Sequence, residues 1–346
     1  MYCLNLKRNE KLTIDSINDT HATTRVGFNN IQNTRGSYYP PFKVQFIEEK
    51  LVVTDYYNPE LKSVSKFEVG DVITSINGKP LDFLIDSISS FYPSSNNIVK
   101  MRDISRDLLR SNKKSIRVNY ISNNEKKQSN LLLYKESDLN IRWYKWTGEK
   151  SYKFLEDSIG YINLEFIKKE DIPYIKKIFK DTKGIIIDIR NYPSSFVPFT
   201  LGSYFVSSPT PFVKFTNFNI NNPGEFVFKK EALIPKPTET YKGKLIVLVN
   251  EFTQSQAEYT AMAFRAGNKT KIIGSTTAGT DGSVSSLYLP GGLLTAISGV
   301  GIYYPDGTET QRIGIVPDIE IKPTVEGIKN GRDELLEKAI EIIKEM

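Results

Sequence analysis

Lys244 to Phe264 reads KLIVLVNEFTQSQAEYTAMAF, and this stretch limits the possible folds more than any other in the chain. LIVLV is a short, unbroken apolar run rich in β-branched residues, the pattern of a strand buried on both faces. A polar turn follows, and Glu258, Tyr259, Ala261, Met262, Ala263 and Phe264 then read as a helix rich in small residues. A core strand that runs straight into a helix needs strands beside it and helices over it, which is a layered α/β arrangement. Other segments from about Leu155 onward supply those partners. GYINLEF and GIIIDIR read as strands, and KIIGSTTAGT as a strand entering a Gly-rich loop. KEDIPYIKKIFKDT is an amphipathic helix with Ile172, Ile175, Ile178 and Phe179 on one stripe. GRDELLEKAIEIIKEM closes the chain as a helix. LLTAISGVGIYYPDGTETQ is expected as a β-hairpin turning at Asp306 and Gly307.

The same strand–turn–helix junction carries the first chemical candidate. Ser255 falls at or near the first turn of the helix, where unpaired backbone N–H groups and the positive end of the helix dipole gather. Those N–H groups are suited to hold the oxyanion of an acyl-transfer reaction. A serine there also suits a plain N-cap, and Thr253 offers a hydroxyl for the same purpose. A serine nucleophile needs a base. The chain has one histidine, His21, in NDTHATTRVGF, with Asp19 and Thr20 placed to orient a ring or continue a relay. The Gly-rich loop STTAGTDGSV contains no lysine, so a lysine base from that loop is excluded; it offers Thr280, Asp281 and Ser283 instead. Asp188 and Arg190 end a buried strand, where function tends to sit in α/β sheets, and they equally suit a structural ion pair. The backbone N–H groups of Ser194 and Ser195 are candidates for a second oxyanion donor.

Residues 37–137 differ in texture from this core. KVQFIEE, KLVVTDY, DVITSINGKPL, SIRVNYI and NLLLYKE read as strands of a small β-rich domain, with FLIDSISSFYP and MRDISRDLLRS as helices between them. Asn77 to Lys79 is a turn signal. Residues 1–36 form a polar N-terminal segment that carries the histidine, and residues 138–346 the core, entered through a linker-like crossing with Trp143 and Trp146. The 46 cationic residues face 40 anionic ones and are scattered, which argues against a nucleic-acid partner. No apolar run approaches the roughly 18–20 residues of a membrane helix. The first residues have no long apolar core or cleavage site, so the protein is expected either to stay inside or to carry an export segment upstream. With one cysteine and one histidine, a zinc site from those ligands is not expected, and no other metal or organic cofactor is implied.

GYINLEF, KGIIIDIRNYPSS, LVNEFTQSQAEYTAMAF, KIIGSTTAGTDG and GIVPDIEI, in that order over about residues 155–325, resemble the C-terminal processing peptidases. That family includes tail-specific proteases, tricorn core protease and interphotoreceptor retinoid-binding protein. The resemblance implies a ClpP/crotonase-like core of layered βα units. FEVGDVITSINGKPL resembles a PDZ domain, and NDTHA the histidine segment of the tricorn-like branch. By this resemblance Ser255 is the nucleophile and the backbone of Gln256 one oxyanion donor. Ser194 and Ser195 stand where paired glycines supply the other. Thr280 stands where one branch has its lysine base, which moves the chain toward the histidine-using branch with His21 as base. Thr20 would link His21 to a distal glutamate, near whose place Gln311 stands, with Glu309 close by.

The resulting expectation is a serine endopeptidase acting on peptides or unfolded protein ends. The alternatives are a catalytically weak or inactive peptide- or ligand-binding protein on the same scaffold, and a hydrolase of small esters or amides. The resemblance suggests a periplasmic or cell-envelope location, and family members usually carry more chain before the histidine. Oligomeric state, cleavage preference and natural substrate are not legible.

Overall fold

The structure, a computed structural model, describes residues 14, 16–22, 35–141, 150–289 and 293–345. The crossing that carries Trp143 and Trp146 lies outside the described residues.

The molecule has an α/β core and a separate β-rich unit. The core sheet runs in the order Ile319–Glu320, Thr270–Gly274, Lys244–Val249, Gly184–Asp188, Ile159–Asn163 and Tyr152–Leu155. All neighbours in it are parallel except the last pair, which is antiparallel. Its central strands are apolar without alternation because both faces are covered. Ile185, Ile187, Leu245 and Val247 pack on one side with helices Ile172–Phe179 and Gln256–Arg265. Ile186, Ile246 and Leu248 pack on the other with Ala339 and Ile343 of the closing helix Glu334–Lys344. The parallel register brings the carboxyl ends of three strands to one edge, and the loops that follow them assemble the candidate site.

The β-rich unit is an antiparallel sheet in the order Phe42–Ile47, Lys50–Tyr56, Val72–Ile76, Ser115–Ser122 and Glu125–Leu132. Phe42, Leu51, Val53, Ile73 and Val118 form its own core. The expected turn at Asn77 is present: Asn77 and Gly78 both take positive φ (50° and 79°), as a type I′ turn requires. The helix expected from Met101 starts earlier, as Asn97–Leu108, because the Asn96 side chain caps it by accepting the Val99 N–H at 3.0 Å. The last strand also starts earlier than NLLLYKE suggests. Asn123 and Asn124, at φ 51° and 65°, turn the chain tightly and bring the polar run EKKQS into register opposite Val118 to Ser122.

One expectation in the core is corrected. Leu293–Ser298 does not pair forward across Asp306; its partner is Val284–Leu289, before it in the chain. Ile302–Tyr303 joins Thr210–Phe218 instead, and the turn at Asp306 and Gly307 closes only a single bridge, Tyr303 to Glu309. The strands Thr210–Phe218, Phe226–Phe228 and Ala232–Ile234 were not legible, because much of their surface is exposed and period-2 alternation is weak.

Candidate active site

Ser255 follows the strand Lys244–Val249 through a five-residue loop. Thr253 is fully buried and braces that loop, donating to the Ile189 carbonyl at 2.8 Å and accepting the Asn250 N–H at 3.1 Å. It is therefore not the cap of the helix; Ser255 holds that position. Ser255 has φ 56° and ψ −118°, the angles of the first central residue of a type II′ turn. The turn closes with the Ala257 N–H on the Gln254 carbonyl at 3.0 Å. Glycine is the usual occupant, and a residue with a Cβ held there stores strain on the order of 1–3 kcal/mol. A sharp, strained strand-to-helix turn is the device that lifts a nucleophile clear of its sheet.

Glu258 ties this turn to the Gly-rich loop. Its carboxylate is fully buried and accepts four hydrogen bonds: from the Ser255 N–H (3.0 Å), the Thr277 hydroxyl (2.5 Å), the Gly279 N–H (2.7 Å) and the Thr280 N–H (2.9 Å). Burial pushes its pKa above the usual carboxylate value, and the donors, Thr277 foremost, offset only part of that. Gly279 takes φ 65° so that successive amides of the loop can turn inward. The β-rich unit braces the same loops from outside. Asn96 donates to the Thr277 carbonyl at 2.9 Å, and Arg102 to the Glu251 carbonyl at 2.8 Å.

Asp281 adds a second buried carboxyl. One oxygen accepts the Gly282 N–H at 2.8 Å, and the other has no hydrogen-bond partner among the described residues. Burial, together with the nearby Glu258 charge, pushes its pKa well up. A carboxyl whose folded pKa is raised keeps a proton that the unfolded chain releases, so stability falls as pH rises above the ordinary aspartate value near ~3.9. Asp281→Asn is therefore expected to stabilise the protein at pH 8 by about 1–3 kcal/mol, the cost range of an unsatisfied buried polar group. The gain should shrink toward zero at low pH, where both side chains are neutral. Urea titrations at the two pH values check this; a variant less stable at both would contradict it.

His21 is 7% exposed. Its Nδ1 lies 3.0 Å from the Ser298 hydroxyl, and its backbone N–H donates to Asp19 Oδ1 at 2.9 Å. Ser298 in turn donates from its hydroxyl to Asp19 Oδ1 (3.1 Å) and from its N–H to Asp19 Oδ2 (2.6 Å). The relay expected through Thr20 and Gln311 takes a different course. Thr20 exchanges hydrogen bonds with Ser95, whose hydroxyl is 3.2 Å from that of Thr280. Gln311 donates to the backbone carbonyls of Asp281 and Val300, and Glu309 bridges Tyr303. Ser298 therefore stands on the ring with Asp19 behind it, Asp19 being one of the two neighbours expected from the sequence to orient that ring. The Asp19 contact was partly legible, since an Asp two residues before an N–H favours an Asx turn. Ser298 lies 277 residues from His21, and nothing local marks it. Thr20, Ser95, Thr280 and Glu258 form a hydrogen-bonded path from the histidine segment to the Ser255 turn.

Of the expected oxyanion donors, the Gln256 N–H opens the helix Gln256–Arg265 directly after Ser255. Ser194 is corrected: its N–H donates to the Leu164 carbonyl at 3.0 Å and its hydroxyl to the Ile167 carbonyl at 2.7 Å, so both hold the turn in place. Ser195 is the remaining candidate. Asp188 and Arg190 form a structural clamp. Arg190 is bidentate to Asp188 and reaches Asp333, which caps the closing helix by accepting the Leu336 N–H. Among the described residues, no three His, Cys, Asp or Glu side chains gather to hold a metal, and no helix is long and apolar enough to cross a membrane.

Residues 158–321, which span the Ser255 turn, the Glu258 hub and the Gly-rich loop, match the model of Peptidase family S41. That match covers a little under half of the chain. Tricorn protease of Thermoplasma acidophilum is 24% identical over 221 residues, 61% of this chain and 19% of its own length. Tricorn protease of Thermoplasma volcanium is 22% identical over 301 residues, 83% of this chain and 26% of its own length. The chain thus spans only a minor part of the curated relatives it matches. Among solved structures, mature CPAF aligns with a TM-score of 0.65 at 14% identity, over 89% of this chain and 81% of that one. A Parabacteroides merdae protein aligns with a TM-score of 0.52 at 21% identity, over 78% of this chain and 90% of that one. These two likenesses concern the fold alone.

Proposed function

We propose that this chain is a serine endopeptidase in which Ser255 attacks the scissile carbonyl, His21 takes its proton, and the amides of Gln256 and Ser195 hold the tetrahedral oxyanion. The observation that carries this reading is the backbone of Ser255: a non-glycine residue held at φ 56° at a helix mouth, over the carboxyl edge of a parallel sheet. Strain of that kind persists where the surroundings impose it, and Glu258 imposes it here by gripping the Ser255 N–H. His21 then returns its proton to the leaving amine. Each oxyanion donor contributes about 2.7–4 kcal/mol to lowering the barrier.

The walls beside Ser255 favour an apolar substrate. Tyr259 lies one turn down the helix, and side chains on a helix lean toward its N-terminus, so its ring leans back toward Ser255. Phe196, next to the Ser195 amide and 42% exposed, stacks on Tyr259 with centroids 5.9 Å apart. Phe212 meets the same ring edge-on. A peptide with a large apolar residue at the scissile bond is the substrate this shelf suits. In the same reading the chain divides into an N-terminal segment (1–36), a PDZ-like unit (37–137) and the peptidase core (138–346). The separate apolar cluster of the β-rich unit supports that division.

A fluorophosphonate probe and a panel of fluorogenic peptides test the proposal. The probe is expected to label wild type once, at Ser255, and not Ser255→Ala. Peptides with Phe or Leu before the scissile bond should be cut faster than those with Asp or Lys. Labelling that survives Ser255→Ala ends the assignment. A folded chain that binds peptides but neither labels nor cuts would instead be the binding protein considered above.

A further inference from the structure

We infer that Ser298 is a positioning residue that sets the tautomer of His21, carrying the charge of Asp19 to the ring through its hydroxyl. The argument is one of proton counting. The His21 Nδ1 and Asp19 Oδ1 are 3.9 Å apart, too far for a direct hydrogen bond. The Ser298 hydroxyl lies between them, 3.0 Å from Nδ1 and 3.1 Å from Oδ1. An ionised carboxylate can only accept, and a hydroxyl has one proton to give. The charge-assisted bond to Asp19 takes that proton. The contact with Nδ1 must then be filled by an N–H on the ring, so Nδ1 carries the proton and Nε2 the lone pair.

The rest of the arrangement keeps Ser298 in this role. Asp19 also accepts the backbone N–H groups of His21 (2.9 Å) and of Ser298 (2.6 Å), so the acid is anchored to both residues it joins. Ser298 is the last residue of the strand Leu293–Ser298, which pairs with Val284–Leu289 and brings the hydroxyl to a ring 277 residues away. When Nε2 takes the Ser255 proton, Nδ1 keeps its own. The ring becomes an imidazolium with both nitrogens protonated, Ser298 continues to accept from Nδ1, and no proton passes to Asp19. The tautomer rests on the hydrogen-bond geometry alone; its catalytic consequence rests on the reading of His21 as the base.

Because His21 is the sole histidine, the full chain labelled with ¹⁵N-histidine gives an unambiguous test. Long-range ¹H–¹⁵N correlation spectra above the imidazole pKa should show Nδ1 protonated and Nε2 not, the reverse of the preference of free histidine. Ser298→Ala should shift the ring toward Nε2–H and lower kcat by about 100-fold, within the range of a general base, with KM little changed. Ser298→Thr, which keeps the hydroxyl, should restore the wild-type spectrum and most of kcat. A wild-type spectrum with the proton on Nε2 overturns the inference even if Ser298→Ala does not fold. So does a Ser298→Ala protein that keeps the Nδ1–H ring. A chain that cuts no peptide yet loses the Nδ1–H form in Ser298→Ala confirms the tautomer role and removes the endopeptidase reading.

Discussion

Ser255→Gly is expected to yield a protein that is more stable than wild type and catalytically dead. Glycine takes φ 56° without the steric cost that Ser255 bears. Relief of strain on the order of 1–3 kcal/mol is set against the greater freedom glycine has in the unfolded chain, roughly 0.5–1 kcal/mol. The net gain should be about 1 kcal/mol. Activity should fall by roughly 10⁶-fold, the scale seen when a serine nucleophile is removed from an assembled site. Ser255→Ala separates the two effects, since alanine loses the hydroxyl but keeps the strained Cβ. It should be as inactive as the glycine variant and no more stable than wild type. Denaturant midpoints and peptide hydrolysis, measured side by side for the three proteins, give the answer. A glycine variant less stable than the alanine variant would show that the turn is not strained at this residue.

Glu258→Ala should be the most damaging single change near the site. It strips one acceptor from four donors at once: the N–H groups of Ser255, Gly279 and Thr280 and the hydroxyl of Thr277. Each donor left unsatisfied in the interior costs about 1 kcal/mol or more, so a loss of roughly 4 kcal/mol is expected before any cavity is counted. Activity of the proposed peptidase should be lost with it, because the Ser255 turn and the Gly-rich loop are held together by this carboxylate. Glu258→Gln keeps the shape but turns an amide NH₂ toward groups that are themselves donors, and should lose about half as much. Thermal melts and phosphonate labelling rates check both variants. A Glu258→Ala protein as stable as wild type would mean that water or a rearranged loop satisfies those donors.

The residues nearest Ser255 were legible because their arrangement is local. A buried run, a polar turn and Glu258 three residues after a serine are a strand, a loop and a capping pattern within twenty positions, and backbone geometry connects them directly. The importance of Glu258 went unread, since three of its four donors come from another residue's surroundings or from a loop some twenty positions on. The partner on the ring was hidden for the same reason. Thr20 and Gln311 were placed by motif position, but the partners of His21 depend on which strand Leu293–Ser298 joins, and that pairing had been expected to run the other way. Ser194 was a reasonable donor in sequence; a neighbouring carbonyl, at Leu164, claims its N–H.

The sequence by itself determined the layered α/β core, the separate β-rich unit, the strand-to-helix junction at Ser255 and the uniqueness of His21. Those follow from apolar periodicity, turn residues and composition, which act over a few residues at a time. Only the tertiary structure decided that Ser255 sits in a glycine-type conformation, that Glu258 gathers four donors, and that Ser298 joins Asp19 to the ring. Hydrogen-bond partners far apart in sequence are chosen by strand register and loop packing, and neither leaves a mark on the residues it joins.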